Sequence, residues 1–485
     1  MRRQSIFQIE TPLNGEWPIY WLQRKGVGIS FSTTVADLIF ATGYDKLEVN
    51  WQLLSDWISG QEPADNTSFF YGINRLSFGV RAEIRDSSLV SRSPGRQDAQ
   101  SKEQPDLWRA ANVATALRDS VARITANVEQ VAIDLSGGID SAAIAWAAVS
   151  AGHTPVAMHL HDSQHAAANE LFYAEEVAQA LGIQLTVISA ADVGILTPSK
   201  GSVSPLSRPH FTLLQARLCE IQKETAGQYS VTLSGNGGDQ ISYAQPAAPS
   251  YLVDLLLSHR PKQWHRVARE VSDITGQNYS SLVRSAYSWS TAHARMDGYP
   301  TFLPSRRPQH PNDARFASLK GRAHGTFLLP GKRAQYREVA EAQRIIDYEM
   351  RQDELHALAY PMLAEPFLST MLLAPTKSLI GSEGDRLLLR RSLGRFLPGK
   401  VVNRYDKADY TGSHLRALRR NYGTAVELVC GGQLAEMRLI DVSQAKTELD
   451  RAALGDGSQF WPIARLLAAE AWLQVWSKAV KVDIH

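Results

Sequence analysis

The stretch VAIDLSGGIDSAAIAWAAV, residues 131–149, decides the fold of this chain. Its first five residues are mostly apolar and predict a buried strand, and a helix is predicted to begin near Asp140. Gly137 and Gly138 let the backbone turn sharply between the strand and the helix. Because the first amide groups of a helix have no partner within it, this arrangement predicts an anion-binding loop.

The hydroxyl groups of Ser136 and Ser141 add two hydrogen-bond donors to this loop. The loop has no lysine and therefore does not match the GxxxxGK[ST] phosphate loop. Its glycines also lack the GxGxxG spacing of a dinucleotide-binding turn. The sequence predicts a phosphate-binding loop of a different type.

A second glycine-rich turn follows the predicted strand at 230–233 and reads SGNGGD, residues 234–239. Its last residue is Asp239, and Asp140 stands at the equivalent place after the first turn. The carboxyl ends of neighbouring parallel strands meet at one edge of a sheet, so both carboxylates can reach a single cation. Carboxylate oxygens suit Mg²⁺, and the two loops therefore predict a magnesium site at Asp140 and Asp239.

Strands alternate with helices on both sides of the first loop, which predicts an α/β fold with a parallel sheet covered by helices on both faces. The pattern beyond residue 250 is mainly helical, apart from a loop rich in proline and arginine at 300–333. Besides residues 131–135, the predicted strands are 155–160, 185–189 and 230–233, and the predicted helices are 141–150, 167–181 and 211–225.

The region before this core has a different texture. Residues 27–85 contain short runs of alternating apolar and polar residues, among them VGISFS, LIFATG and FFYGINRLSFGVRAEI, which predict antiparallel strands, with a helix at 51–59 between them. Residues 86–107 are polar and predict a linker. We therefore divide the chain into domains at 1–100 and 101–485, the second containing an α/β core at about 108–250 and a helical part at about 250–485.

Composition excludes several classes of protein. The 485 residues include 51 Lys and Arg against 49 Asp and Glu, a net charge of +2 that does not suit a protein that coats nucleic acid or an anionic membrane. Cys219 and Cys430 are too few for a disulfide scaffold and are expected to be buried thiols. We find no signal peptide and no membrane span in the sequence, and we expect a cytoplasmic protein without a nucleic-acid partner.

The SGGxDS pattern after a strand resembles the pyrophosphate loop of the ATP pyrophosphatase superfamily, whose members split ATP between its α- and β-phosphates to adenylate a carboxylate or a carbonyl. The second loop resembles that of asparagine synthetases and their relatives. The resemblance implies ATP and Mg²⁺ as cofactors, and a doubly wound parallel-sheet ATP pyrophosphatase domain preceded by a reduced, antiparallel β-rich glutaminase-like domain. The ATP-binding residues that it implies are Leu135, Ser136, Gly137, Gly138, Asp140, Ser141, Met158, Ser234 and Gly235.

The carboxyl-terminal part supports the same resemblance over a long stretch. Residues 365–368, 385–390, 397–398 and 403–407 follow the order of motifs in that family. Lys407 falls on the position of the family's active-site lysine. The cation of such a lysine can neutralise charge on pyrophosphate and later on a tetrahedral oxyanion.

Two features of the sequence point to a branch of the family. Glutamine-using asparagine synthetases carry a cysteine directly after the initiator methionine, where this sequence has Arg2. Residues 57–84 still resemble the tail of the glutaminase-like domain, which implies a domain without its nucleophile. The acceptor amine is then expected to come from the substrate itself.

Two branches use such an amine: β-lactam synthetases and lasso peptide cyclases. Asn236 occupies a position where asparagine synthetases have Glu and β-lactam synthetases have Tyr, and an amide cannot act as a base. Residues 233–246, LSGNGGDQISYAQP, most resemble the lasso cyclases. Asn236 either orients the acyl adenylate through its amide or only shapes the loop.

The resemblance therefore implies a lasso peptide cyclase that adenylates an Asp or Glu side chain of a core peptide and joins it to the peptide's terminal amine. It also implies a precursor peptide as substrate, with a leader peptidase and a leader-binding element as partners. The alternatives are a β-lactam synthetase-like or ammonia-dependent asparagine synthetase-like enzyme, and an inactive synthetase fold kept for binding.

Overall fold

The structure is a computed structural model of the 485-residue chain. It describes residues 7–11, 18–24, 28–44, 47–61, 63, 66–76, 80–85, 88–92, 110–164, 170–201, 204–227, 230–242, 248–291, 331–332, 334–335, 338–339, 342, 356–381, 383–405 and 410–479. The predicted loop at 300–333 lies almost entirely outside these residues.

The strands of the α/β part are β7 Gln130–Asp134, β8 Val156–His161, β9 Gln184–Ser189, β10 Ser230–Ser234 and β11 His356–Ala359. They form a five-stranded parallel sheet in the order β11-β10-β7-β8-β9. This arrangement confirms the predicted parallel sheet. The pattern missed β11, which lies beyond residue 250 in the part expected to be mainly helical.

The pairing register brings the ends of β7 and β10 level with one another, while β8 continues three residues further. Asp134 at the end of β7 pairs with Ser234 of β10 on one side and with Met158 of β8 on the other. Parallel strands have their carboxyl ends at the same edge of the sheet, and ligands of α/β folds bind there. The loops that follow β7 and β10 are therefore neighbours.

Helices cover the sheet, and the helix Ile139–Ser150 is the most deeply buried of those beside the first loop. Nine of its twelve residues are buried, five of them alanines, and small side chains let a helix pack closely on its neighbours. The described α-helices are Val35–Thr42, Trp51–Ile58, Ala110–Ile124, Ile139–Ser150, Leu171–Leu181, Ala216–Ala226, Gly238–Ser242, Ala248–Leu257, Trp264–Thr275, Tyr279–Thr291, Phe367–Leu373, Thr376–Leu379, Leu387–Leu393, Gly399–Val402, Thr411–Arg420, Tyr422–Gly431, Gln433–Glu436, Val442–Ala453 and Phe460–Ala479. Short 3₁₀ helices are Phe211–Gln215, Pro261–Gln263, Pro361–Leu363 and Gly457–Gln459.

The strands described in the amino-terminal region are β1 Phe7–Glu10, β2 Tyr20–Arg24, β3 Gly28–Ser32, β4 Ile73–Arg75, β5 Arg81–Arg85 and β6 Ser88–Arg92. They form two three-stranded antiparallel sheets, in the orders β1-β5-β6 and β3-β2-β4. The predicted antiparallel strands are thus present, with two corrections. Residues 38–43, LIFATG, lie mostly in the helix Val35–Thr42, and part of the predicted linker forms β6.

The last helix, Phe460–Ala479, packs against the amino-terminal region. The ring of Phe70 lies 5.1 Å from the ring of Trp472 and 4.8 Å from that of Trp476. Both indole Nε1 groups donate to the carbonyl of Leu206, at 2.6 and 2.7 Å. A single apolar core therefore joins the amino-terminal region to the carboxyl-terminal helices.

Two further expectations can be compared with the described part of the chain. Neither cysteine forms a disulfide there; Cys219 is partly buried but Cys430 is exposed, so the expectation that both are buried is wrong for Cys430. None of the helices that the structure describes combines the length and the apolar character needed to cross a membrane.

Candidate active site

The first loop is held by a compact network of serine hydrogen bonds. The Oγ atoms of Ser136 and Ser141 lie 3.0 Å apart, and Ser141 Oγ donates to the carbonyl of Gly138 at 3.1 Å. Amides of the loop also use these hydroxyls: Ser136 N donates to Ser141 Oγ, and Gly138 N donates to Ser136 Oγ. The two serines therefore fix the shape of the loop, and their predicted role as donors to a phosphate stays a prediction.

The loop turns through Gly137, whose φ of +90° disfavours any residue with a Cβ atom. A Cβ atom there would lie 2.8 Å from the carbonyl oxygen of Glu170 and 2.9 Å from the side chain of Tyr173. The buried carboxylate of Glu170 in turn pairs with Arg404 at 2.7 Å. Gly137 thus allows the loop to lie directly against the start of the next helix.

The second loop lies in backbone contact with the first. A Cβ atom on Gly235 would be 2.9 Å from the amide nitrogen of Ser141, and one on Gly238 would be 2.6 Å from Cγ of Asp140. Only glycine permits backbones to approach this closely. The spacing of glycines in SGNGGD therefore serves the contact between the two loops.

Asp140 and Asp239 converge on one cation, the guanidinium group of Arg386. Its Nε donates to both carboxylate oxygens of Asp140, at 3.2 and 3.0 Å, and its Nη2 bonds to Oδ1 of Asp239. Its Nη1 donates to Asp385 Oδ2 at 2.9 Å. The structure therefore brings together the two carboxylates that the sequence assigned to one site.

Two further residues predicted to bind the nucleotide, Leu135 directly after β7 and Met158 in β8, lie beside these loops. Leu135 N donates to the carbonyl of Met158 at 2.8 Å, and the Leu135 carbonyl lies 2.8 Å from Nδ1 of His159. Burial lowers the pKa of His159, and the bond to the Leu135 carbonyl opposes part of that fall. The side chains of Leu135 and Met158 are buried, so a nucleotide at this edge would meet mainly their backbone.

Comparison with protein families supports this arrangement. The model of the asparagine synthase family matches residues 112–474, which is most of the chain. The chain belongs to the asparagine synthase family. A search of curated proteins finds no match. Family membership indicates an ATP-using carbon–nitrogen ligase, and the parallel sheet, the two loops and Arg386 all lie within the matched residues.

Of the two predicted catalytic residues of this asparagine synthase family member, the structure describes Asn236 but not Lys407. Asn236 is exposed in the second loop, and its backbone N–H donates to Ser234 Oγ at 3.4 Å. Lys407 lies outside the described residues. Tyr405, two positions before it, donates its hydroxyl to the carbonyl of Glu383 at 2.5 Å.

The oxygen atoms that this site offers as metal ligands suit Mg²⁺. Asp140 and Asp239 offer carboxylate oxygens, and Mg²⁺ in nucleotide sites is commonly held by one or two carboxylates together with phosphates and waters. Within the described residues no group of three or more His, Cys, Asp or Glu side chains could form an all-protein site. With two carboxylates as protein ligands, a magnesium ion would take its other ligands from phosphates and waters.

Sequence reasoning missed Arg386 and Asp385 as site residues. Arg386 is separated from Asp140 by 246 positions, and its sequence context, DRLLLR, gives no sign of that contact. Burial alone would lower the pKa of Arg386, but the three carboxylates around it raise the pKa further than burial lowers it. The guanidinium is therefore permanently charged in the site.

Asp134 is a further residue that the pattern did not single out. Burial raises the pKa of Asp134 to about 6, and a hydrogen bond from Gln222 Nε2, at 2.8 Å, opposes part of the rise. The native carboxyl thus keeps its proton to a higher pH than the unfolded one, so its contribution to stability is lost as the pH rises from about 4 to about 6.

Replacing Asp134 by asparagine is expected to remove this pH dependence, because an amide has no proton to lose and its oxygen still accepts from Gln222. The variant should be more stable than the wild type at pH 7, and the difference should shrink towards zero near pH 4. Urea unfolding of both proteins across this range measures it. A difference in the free energy of unfolding that stays constant with pH would contradict the raised pKa of Asp134.

Proposed function

We propose that the chain is an ATP-dependent macrolactam synthetase of the lasso peptide cyclase type. The geometry of the two glycine loops carries the proposal. The loops touch, Asp140 and Asp239 face one cation position, and Asn236 is exposed beside them. The carboxylates suit a nucleotide triphosphate with its metal. The exposed amide suits a site that contributes no side-chain base from this position.

In the proposed reaction, the side-chain carboxylate of an Asp or Glu in the core peptide attacks the α-phosphate of ATP. Pyrophosphate leaves from the first loop, whose backbone is fixed by the hydroxyls of Ser136 and Ser141. The terminal amine of the same peptide then attacks the acyl carbon, AMP leaves, and an amide bond closes the ring. Bound Mg²⁺, held by Asp140 and Asp239, would neutralise charge on the phosphates.

The protein's part in this reaction is mostly positioning. Joining two ends of one peptide requires the amine and the acyl carbon to be held together against a large loss of chain entropy. The rigid contact between the loops fixes the acyl adenylate, and Asn236 can donate its amide N–H groups to it or shape the loop. Lys407 is proposed to offset the charge that grows on pyrophosphate and on the oxyanion.

The proposal includes partners. A cyclase that uses a free terminal amine requires a peptidase to remove the leader of the precursor first, and a leader-binding element would deliver that precursor. We propose both as partners of this chain. A precursor peptide encoded beside the gene of this chain would be the first substrate to test.

The purified protein, given ATP, Mg²⁺ and the synthetic core peptide, is expected to release AMP and pyrophosphate in equal amounts and a peptide lighter by one water. Two control peptides isolate the reacting groups: one with an acetylated terminus and one with the acceptor carboxylate replaced by its amide. Neither should lose water, because each lacks one partner of the new bond.

Other outcomes would identify the alternatives. Amide formation from ammonia and a free amino acid would indicate an asparagine synthetase-like enzyme, and ring closure of a small molecule would indicate a β-lactam synthetase-like one. Release of ADP, or an unchanged peptide mass together with no pyrophosphate, would refute the cyclase proposal. Absence of all nucleotide turnover would favour a binding protein.

A further inference from the structure

Arg386 occupies the position between the two carboxylates where a nucleotide-bound cation would lie. Its Nη2 is 3.0 Å from Asp140 Oδ2 and also bonds to Asp239. The side chain of Arg386 is 10% exposed, so this contact is largely shielded from water. The same carboxylates therefore cannot hold this guanidinium and a metal ion in the same way at once.

Arg386 is also anchored from outside the pair. Its Nη1 donates to Asp385 Oδ2, while the other oxygen of Asp385 accepts from Arg390 at 3.1 Å. Arg390 is held further by the carbonyls of Asp385, at 3.0 Å, and Val402. Arg390 thus holds Asp385 in place. Arg386 can therefore keep its bond to Asp385 when other groups replace its contacts with Asp140 and Asp239.

The backbone of Arg386 is in a costly conformation. Its φ is +51°, in the left-handed region that residues with a Cβ atom seldom adopt, and it immediately precedes the helix Leu387–Leu393. Such outliers persist where the surrounding structure enforces them, and they concentrate at functional sites. Here the enforced conformation directs a guanidinium at two carboxylates on two different loops.

The charges of this cluster favour an exchange. Three carboxylates, Asp140, Asp239 and Asp385, contact the two guanidinium groups of Arg386 and Arg390. A divalent cation between Asp140 and Asp239, with Arg386 still bound to Asp385, would add two positive charges to this cluster, and a polyphosphate would then be attracted to it. The displaced guanidinium has phosphate oxygens as its natural next partners, because its planar N–H groups match them.

We propose that Arg386 is a built-in counter-cation: it holds Asp140 and Asp239 together before nucleotide binds, and it transfers to the phosphates of ATP when the metal–nucleotide complex displaces it. Metal and nucleotide then bind together, because metal alone must compete with the guanidinium without the phosphates that would receive it. This role rests on the proposed adenylating function and adds a phosphate-binding residue to it.

The test is metal binding to the nucleotide-free protein, with Mn²⁺ as the probe and electron paramagnetic resonance to count the free ion. Arg386→Gln is expected to bind Mn²⁺ about tenfold or more tightly than the wild type, because the guanidinium that competes with the metal between the two carboxylates is removed. The same variant is expected to bind magnesium pyrophosphate about tenfold more weakly by calorimetry. A structural defect alone would weaken both.

Arg391→Gln is the matched control, because Arg391 lies in the helix that directly follows Arg386 but its ion pair with Glu383 is exposed. It should leave both affinities at the wild-type value. Unchanged or weaker Mn²⁺ binding in a folded Arg386→Gln protein would overturn the proposal.

The wild-type protein gives a second measurement if Arg386→Gln does not fold. Mn²⁺ is expected to bind the wild type about tenfold or more tightly when a non-hydrolysable ATP analogue is present, after correction for its binding to the analogue alone. Equal affinity with and without the analogue would overturn the counter-cation role. These readouts need no peptide, so failure to form a macrolactam would refute the cyclase function without altering them.

Discussion

Asparagine at position 140 or at position 239 is expected to lower ATP-dependent pyrophosphate release by about a hundredfold or more. Each substitution Asp140→Asn and Asp239→Asn keeps the shape of the side chain but removes one of the two negative charges at the cation position. Asp140 also lies in the first turn of the buried helix Ile139–Ser150, where the helix dipole favours a negative charge. Pyrophosphate is measured with a coupled assay under saturating ATP.

Loss of an ion pair must be distinguished from loss of a metal ligand. Asp450→Asn is a suitable control, since Asp450 accepts from Lys446 Nζ at 2.7 Å. Both residues lie on the helix Val442–Ala453, which packs into the apolar core shared with the amino-terminal region. It should retain activity close to that of the wild type. Thermal unfolding of all three variants shows whether they fold. Near-normal turnover in a folded Asp140→Asn or Asp239→Asn protein would contradict a shared-metal site.

Local chemistry made the two loops predictable from the sequence. A strand, a glycine turn and a helix at 131–149 are written in consecutive residues, and their observed bounds differ from the prediction by only a few positions. The second loop, at 234–239, was predictable for the same reason. That their carboxylates meet followed from a general property of parallel sheets, not from any residue that recorded the contact.

The helix Val35–Thr42 shows how a local pattern was misread. Its residues LIFATG are β-branched and aromatic enough to suit a strand. The decisive signal precedes them: Thr34 caps the helix by accepting from the amide of Asp37 at 3.0 Å. A capping residue followed by an acidic first turn was present in the sequence and favours a helix.

Other features had no local signal. β11 is only four residues, HALA, and pairs with β10 across more than a hundred positions of the chain. Arg386 also reaches its two carboxylates from a distant part of the chain, 246 positions from Asp140 and 147 from Asp239. Contacts of this kind depend on packing of the whole fold, so the pattern of one segment cannot reveal them.

Close backbone contact between the loops leads to the second large effect, that of Gly235→Ala. The added Cβ atom would lie 2.9 Å from the amide nitrogen of Ser141 and 3.1 Å from the carbonyl carbon of Asp140. Both neighbours are backbone atoms at the start of a buried helix and cannot rotate away. We expect a loss of about 1–3 kcal/mol in the free energy of unfolding and a decrease of about a hundredfold in pyrophosphate release, because the loops must separate.

Gly423→Ala is the matched control for this substitution. Neither glycine has a positive φ, and a Cβ atom on Gly423 has no neighbour within 4 Å, so the same methyl group is added without a clash. Gly423 lies within the helix Tyr422–Gly431, where alanine is expected to stabilise by about 0.5–1 kcal/mol and to leave turnover unchanged. If Gly235→Ala behaved like Gly423→Ala in both urea unfolding and pyrophosphate release, the loops would not need to touch, and the argument that Asp140 and Asp239 share one cation would lose its geometric basis.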